Sequence, residues 1–372
     1  MAKKVCLISF SDLAYDARSA NLVNMIRSFS EFELITISIS NKQSRIQERF
    51  IDLANQKNSW LRWLLFTKAI YDFDLANQFD IVIASDLYSL PAASKMANGK
   101  SILIYDSREI YSKLGSLTTK PLRQFLISSI EKKYIQTCDL VYTSGKLDTE
   151  YLYSNFSSNS NFTELYNFPP FREYKKSRII SVRFGLPESA RILLYQGVLH
   201  KGRGLEESIS AMPFLPSDYV LCIIGEGPEY RHYQELVKSL KLEQRVFFTG
   251  YLDYNDLHEY TCSANLGLCL FQPISMSYEM ALPNKLFEYA MAGLPVLATN
   301  LASLSEVINK FNIGVTIDSF PQSKLLAKEI EDVFDNNFSK FKENALVSAK
   351  INCYESQKDI ILNILNQQKI KK

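Results

Sequence analysis

The stretch 283–299, PNKLFEYAMAGLPVLAT, leaves the chain few folds to choose from. Proline fixes its own φ and has no amide proton, so Pro283 suits the first position of a helix. Asn284 to Ala292 then run for about two and a half turns without a breaker. Gly293 is a natural left-handed stop, and Pro295 keeps the helix from resuming. Residues 296–299 are a short apolar run that reads as a buried strand. Loop, short helix, tight turn and buried strand together describe an α/β sheet.

The same alternation runs along the chain. Apolar runs at 5–10, 34–39, 80–85, 101–105 and 138–144 read as strands in the first half. Those at 191–197, 220–224, 246–250, 265–270 and 313–317 do so in the second. Helices are expected over 19–30, 57–77, 120–137, 206–212, 257–263, 305–309, 323–337 and 339–367, the last with a break near Asn352. The expectation is two Rossmann-like, doubly wound domains. They span 1–170 and 186–345, with a polar linker at 171–185 and a terminal segment at 346–372. A chain of 372 residues with 47% hydrophobic content can fill two such cores.

Charge excludes one class of partner. With 42 basic and 40 acidic residues, net charge gives no reason to expect nucleic acid. The six cysteines form no C-x-x-C pair, and several lie in apolar runs, as free thiols in a reducing compartment do. The apolar run after Lys3 and Lys4 is shorter than the roughly 7–15 residues of a secretory core, so it reads as a first strand. No apolar stretch approaches the ~18 residues of a membrane span. A cytoplasmic protein is expected. Residues 57–77 carry Trp60, Trp63, Leu64 and Phe66 beside Arg62 and Lys68. Such a helix fits two roles, lying on the inner face of a membrane or packing on the sheet. Its Asp72-Phe73-Asp74 imitates a D-x-D metal motif, but that motif belongs after a strand and is set aside.

The start of the helix at Asn284 is where chemistry concentrates. Free backbone N–H groups and the positive end of a helix dipole favour an anion there. Lys285 adds a full charge, and Glu288, one turn in, suits the vicinal hydroxyls of a ribose. The alternative is an amphipathic helix with a solvated Glu.

These residues resemble the nucleotide-binding signature of glycosyltransferase family 4, whose members are retaining enzymes of the GT-B fold. The resemblance implies two Rossmann-like domains facing a cleft, with the last helix crossing back to the first domain. It implies that Glu288 binds the ribose of a UDP- or GDP-sugar. The 197–204 loop, GVLHKGRG, resembles the family's G-x-x-x-x-x-K-G loop. Arg203 stands where the family has Lys, and Val198 stands where it has Arg. Gly197, Lys201 and Arg203 are therefore candidate diphosphate contacts, and Gly225 and Gly227 match the family's G-x-G turn. Tyr251 falls where members line the base pocket. The family's first acidic residue falls on Met280, with Glu279 one position off, so the backbone of Ala281 and Leu282 is the candidate substitute. Asn284 and Lys285 complete the expected nucleotide-sugar site.

In the first half, residues 106–111 stand where the family reads D-x-H-E. Arg108 replaces the His and cannot act as a base; Glu109 matches. Arg108, Glu109, Arg203 and Glu288 are the expected catalytic set, and Asp16 and Arg18 are expected on the acceptor side. Asp16 also reads as a helix cap. His200, His232 and His258 all lie in the second half. An inverting enzyme usually needs a base in the first domain, so retention is expected, without a metal or other cofactor. The implied reaction moves a hexose-type sugar to a polysaccharide or lipid-linked oligosaccharide. The departures at Val198, Arg108 and Met280 keep a non-catalytic GT-B partner subunit open as an alternative, and a GT-B-like sugar-nucleotide epimerase is a third reading.

Overall fold

A computed structural model describes residues 2–40, 48–53, 56, 58–73, 78–156 and 161–367. The chain divides into two compact units, 1–167 with 357–372, and 168–356. The first division falls close to the Asn167-Phe168-Pro169-Pro170 turn. Residues 171–185, expected as a linker, fold with the second unit, where Ile180 is fully buried. The terminal helix belongs to the first unit.

Among the described residues the first unit has a seven-stranded parallel sheet. Its strands are β1 (Lys3–Ile8), β2 (Phe32–Ile39), β3 (Glu48–Ile51), β4 (Ile81–Ala84), β5 (Ile102–Ser107), β6 (Leu140–Thr143) and β7 (Asn161–Glu164). They lie in the order β3-β2-β1-β4-β5-β6-β7. The helices are α1 (Ala17–Arg27), α2 (Ser59–Asp72), α3 (Leu90–Ala97), α4 (Pro121–Ile135) and α5 (Lys146–Phe156). The second unit holds α6 (Ile179–Phe184), α7 (Leu205–Ala211), α8 (Tyr230–Ser239), α9 (Tyr254–Cys262), α10 (Met276–Glu279), α11 (Asn284–Met291), α12 (Ala302–Phe311), α13 (Ser323–Asn336) and α14 (Phe338–Ile351). Its six-stranded parallel sheet comprises β8 (Arg191–Gln196), β9 (Tyr219–Ile224), β10 (Val246–Gly250), β11 (Leu266–Cys269), β12 (Val296–Thr299) and β13 (Gly314–Ile317), ordered β10-β9-β8-β11-β12-β13. The last helix, α15 (Lys358–Asn366), follows the break that the sequence places near Asn352.

Both sheets reverse direction beside their first strand, between β1 and β4 and between β8 and β11. Loops part there, and a crevice opens at the carboxyl ends of the strands. Central strands are buried on both faces and therefore read as continuous apolar runs; β4, IVIA, is fully buried. Short edge strands escape that signal. β3 (ERFI) and β7 (NFTE) mix charged or polar residues with apolar ones, are only partly buried, and were not expected. The six cysteines are free and buried. Helix α2 buries Phe66 and Ile70 against the sheet and leaves Trp60, Leu61, Leu64 and Leu65 exposed. Residues 57 and 74–77 of the expected helix, Asp74 of the D-x-D triplet included, lie outside the described residues. Among the described residues no helix is long and apolar enough to cross a membrane.

Candidate functional site

Helix α11 begins at Asn284 with Pro283 as an extended N-cap, one position later than expected. It ends as the sequence requires. Gly293 takes φ 65°, and the Leu294 amide donates to Tyr289 O at 2.9 Å. Tyr289 then locks the helix over the switch point of the second sheet. Its hydroxyl accepts from Gln196 N at 3.2 Å and lies 3.2 Å from Leu194 O and 3.3 Å from Leu268 O. Its ring fills the space over Gly267, where a Cβ would stand 2.4 Å from Cδ2. The phenol thus spans β8 and β11 and fixes where the faces of α11 point.

One face presents Lys285 and Glu288. Lys285 is buried, and Nζ has no hydrogen-bond partner among the described residues. It rests 3.6 Å above the Tyr195 ring and 5.4 Å from that of Phe271. Burial pulls this ammonium down to about 7, Cys269 and Glu288 work against the drop, and Arg203 adds to it. A buried cation without an acceptor is costly, and an anionic ligand would relieve it. Glu288 Oε2 accepts from Gln196 Nε2 at 2.5 Å, and Gln196 Oε1 accepts from Thr261 Oγ1 at 2.9 Å. Burial raises the Glu288 carboxyl, against the Gln196 hydrogen bond and the charges of Lys285 and Arg172. Beside it opens a small hollow lined by Pro169, Pro170, Arg172, Tyr254, His258 and Thr261 among others.

The glycine loops press against each other over this site. A Cβ on Gly225 would stand 2.1 Å from Gly197 O, and Gly225 has φ 129°. A Cβ on Gly227 would stand 2.5 Å from Leu199 O. Gly197 itself faces Lys285, whose Cε would be 3.7 Å from an added Cβ. Only glycine permits this approach of two strand-end loops. Arg203 leans over the Phe271 ring at 5.1 Å, with Nε 3.3 Å from Tyr278 Oη. Lys201 is exposed at the loop tip, and Ala281 and Leu282 are half-buried between α10 and Pro283. Tyr251 stands 67% exposed just past β10 and does not line the hollow.

The first unit has its own charged crevice at its switch point. Arg18 Nε donates to both Asp106 oxygens at 3.0 Å, and Nη2 donates to Oδ1 at 2.6 Å, with both residues buried. Arg108 Nη1 donates to Asp16 Oδ2 at 2.7 Å, and its Nη2 donates to Ser19 Oγ. Asp16 also caps α1 through Ser19 N at 3.1 Å and accepts from Ser11 Oγ at 2.6 Å. Burial opposes its charge, but Arg108 and these hydrogen bonds prevail and hold the carboxyl below its usual value. Asp16 is therefore a poor base, and Asp16 and Arg18 are first of all structural ion-pair partners. Arg108 is pushed up by Asp106 and Asp16 despite its burial. Glu109 is exposed. Asp148, in the first turn of α5, is raised to about 7 by burial, against the opposing charge of Arg18.

Comparison with known proteins assigns the second unit. The family model described as glycosyl transferases group 1 matches residues 177–349. The second unit is a group 1 glycosyl transferase domain. Over 160 residues, 42% of this chain and 40% of the relative, the sequence is 28% identical to N-acetyl-alpha-D-glucosaminyl L-malate synthase of Bacillus anthracis. The chain spans between 31% and 67% of the length of the curated relatives it matches. Sucrose-phosphate synthase from Thermosynechococcus elongatus superposes with a TM-score of 0.80 at 15% identity, over 98% of each chain. HepE from Anabaena, solved with UDP and glucose, superposes at 0.76 and 15% identity, over 98% of this chain and 99% of that one. The fold is GT-B.

Within the group 1 domain, the structure brings Gly197, Gly225, Gly227, Lys285 and Glu288 together around the sheet's switch point. Lys201 and Tyr251 stand outside that close group as exposed loop residues. Gln196, Thr261 and Tyr289 were not foreseen. The first two act through side chains 65 residues apart in sequence, which no local pattern reveals. Tyr289 lies inside the PNKLFEY stretch, but its role depends on which way the helix faces. Asp106 and Asp148 of the first unit were missed as partners for the same reason.

Proposed function

We propose that the chain is a retaining glycosyltransferase. It moves a hexose-type sugar from a UDP- or GDP-sugar to a glycan or lipid-linked oligosaccharide, at the inner face of the cell membrane. One observation carries this reading: an unpartnered buried Lys285 and a positioned Glu288 share one face of α11, at the switch point of a group 1 domain. A diphosphate beside Lys285 supplies the anion the ammonium lacks. The remaining Glu288 oxygen suits the ribose hydroxyls. The UDP in the Anabaena neighbour supports a uridine nucleotide as the first candidate.

In this reading Lys285, Arg203, Lys201 and the start of α11 stabilise the departing diphosphate by fixed charge and dipole. Among the first-unit residues at the switch point, Arg108 cannot be a base and Asp16 is held ionised by Arg108. Asp148, raised to about 7 by burial, is the competing proton acceptor. In this reading the leaving phosphate takes the acceptor proton, and the configuration of the product decides between the two. No metal is required in this scheme.

The test begins with calorimetry against UDP, GDP and their sugars. Hydrolysis of the preferred nucleotide sugar is then measured with and without EDTA, and product configuration is read by NMR. The expected outcome is binding of one nucleoside diphosphate, EDTA-insensitive cleavage that is lost in Glu288→Ala, and a retained anomer. Absence of nucleotide binding, or an inverted product, would overturn the proposal.

A further inference from the structure

Two helices of the first unit leave apolar side chains in solvent. On α4, Leu122, Phe125 and Leu126 are 79%, 69% and 48% exposed. They stand at i, i+3 and i+4, so they form one stripe along the first half of the helix. Ile127, Ile130 and Ile135 already supply the packing face. On α2, Trp60, Leu61, Leu64 and Leu65 are exposed in the same way, again in the first half of the helix.

The two stripes share a face and an end of the sheet. Helix α3 packs against both α2 and α4, so the three lie side by side in one layer. In a parallel sheet such helices start where strands finish. Side-chain contacts tie the starts together. Trp63 Nε1 donates to Tyr88 O at 2.8 Å, just beyond β4. The Tyr88 ring meets Tyr111 edge-on at 5.9 Å, and the short turn Tyr111–Lys113 packs on α4. The carboxyl ends of the strands also carry Arg18, Asp106 and Arg108, so the apolar stripes flank the charged crevice.

Charge indicates what covers them. Between residues 110 and 137 the basic residues are Lys113, Lys120, Arg123, Lys132 and Lys133. The one acid in that span, Glu131, is fully buried with Oε1 accepting from Tyr105 Oη at 2.7 Å. On α2 the exposed Lys68 and the part-exposed Arg62 are basic, against one acid, Asp72, at the far end of the helix. Exposed leucine and aromatic side chains ringed by lysine and arginine suit an anionic bilayer surface: the apolar groups enter the acyl boundary and the cations meet headgroup phosphates.

We infer that the first halves of α2 and α4 form a docking surface for an anionic lipid bilayer, which holds the crevice of the first unit at headgroup level. Docking itself does not depend on the proposed transfer reaction. What the membrane presents to the crevice, a lipid-linked acceptor, does rest on that reading.

The chain supplies its own probe, since its two tryptophans, Trp60 and Trp63, both lie on α2. The full chain is titrated with vesicles of phosphatidylcholine alone and of phosphatidylcholine with an equal share of phosphatidylglycerol. Sedimentation and tryptophan emission are followed at two salt concentrations. The expected result is co-sedimentation with the anionic vesicles only, a blue shift, quenching by brominated lipid, and weakening at high salt. Lys120→Gln with Arg123→Gln should lower partitioning about 25-fold, at roughly fivefold per basic residue. Leu122→Ser, Phe125→Ser and Leu126→Ser together should lower it at least tenfold. Val182→Ser, an exposed apolar change on the other unit, should not. The exposed positions leave the core intact, which far-ultraviolet circular dichroism checks.

Equal binding to neutral vesicles, or unchanged partitioning of the triple variant, would overturn the inference. So would concentration-dependent self-association that the triple variant abolishes, because the face would then belong to a second copy. Loss of docking with nucleotide binding intact would fault the surface alone, and docking without any nucleotide binding would fault the transfer reading alone.

Discussion

Replacing Lys285 by Met should stabilise the unliganded chain and weaken its hold on nucleotide, and both effects should shrink as pH rises, because both come from the charged ammonium. The ammonium has an ordinary value of 10.5 that burial brings to about 7. At about 1.36 kcal/mol per decade, carrying the charge at pH 6 costs about 5 kcal/mol. The Tyr195 ring, 3.6 Å away, returns ~1–2 kcal/mol through its face. About 3 kcal/mol remains as the net cost of burying this cation, an upper figure because water can reach buried charges during local opening. The sign follows from proton counting. Below pH 7 the lysine is charged both folded and unfolded, so the cost is complete. Between pH 7 and 10.5 the unfolded chain holds more protons, and wild-type stability rises. Met, of similar length and without charge, should therefore unfold about 6–12 °C higher at pH 6, taking ~2–4 °C per kcal/mol for a unit of this size. By pH 9, still about 1.5 decades below the unfolded value, the gap should shrink to about 2 kcal/mol, and it should close only above about pH 10.5. UDP at 100 times the dissociation constant is worth about 2.7 kcal/mol and the variant should bind far more weakly, so UDP should nearly cancel the gap at pH 6 and reverse the ranking at pH 9. Thermal unfolding at pH 6 and pH 9, with and without UDP, measures all four quantities. A gap that is constant with pH, or a variant less stable at pH 6, would refute the electrostatic account. Unchanged stabilisation by UDP would remove Lys285 from the site.

Three further outcomes are expected. Glu288→Gln keeps the side-chain shape but loses the charge that Gln196 Nε2 donates to; nucleoside diphosphate affinity should fall about 10- to 100-fold by calorimetry, with little change in fold. Gly225→Ala forces a Cβ to 2.1 Å from Gly197 O at φ 129°; unfolding measurements should show a loss of at least ~2 kcal/mol, with nucleotide binding weakened as the two loops part. Asp106→Ala strips the buried partner from Arg18 and the longer, 3.4 Å partner from Arg108, which keeps Asp16; it should destabilise the first unit by about 3–5 kcal/mol in urea unfolding, whereas Asp106→Asn should recover part of this.

How much was legible in advance depended on how local each signal was. The PNKLFEYAMAGLPVLAT stretch carries its own start, stop and turn, so α11 and β12 lie within a residue of where proline, glycine and an apolar run put them. The buried central strands are equally plain, because a strand covered on both faces has no polar alternation to confuse it. Edge strands β3 and β7 and helix α5 were not read, since part-exposed elements carry mixed patterns; α3 was missed because it is a short, largely buried, alanine-rich segment with a proline near its start. The resemblance at Glu288 and the glycine loops pointed to residues that the fold brings together at the switch point of the second unit. It could not say that Lys285 would have no hydrogen-bond partner, because that depends on which side chains surround Nζ in space.

The division of labour is physical. Backbone preferences and hydrophobic period act over a few residues, and the order of amino acids alone therefore determined two doubly wound α/β halves and the position of the helix start that faces the switch point. Charge pairing and burial act across the fold. Asp16 was equally a cap or an acceptor contact until Arg108, 92 residues away, closed on it at 2.7 Å. Tyr289 was one apolar position among several until its hydroxyl reached β8 and β11. Leu122, Phe125 and Leu126 fall in an expected helix, but only the fold turned their face outward and covered the opposite one. Only tertiary structure decides which groups are desolvated and which are paired, and those two facts set the pKa of Lys285, the role of Asp16 and the exposed face of α4.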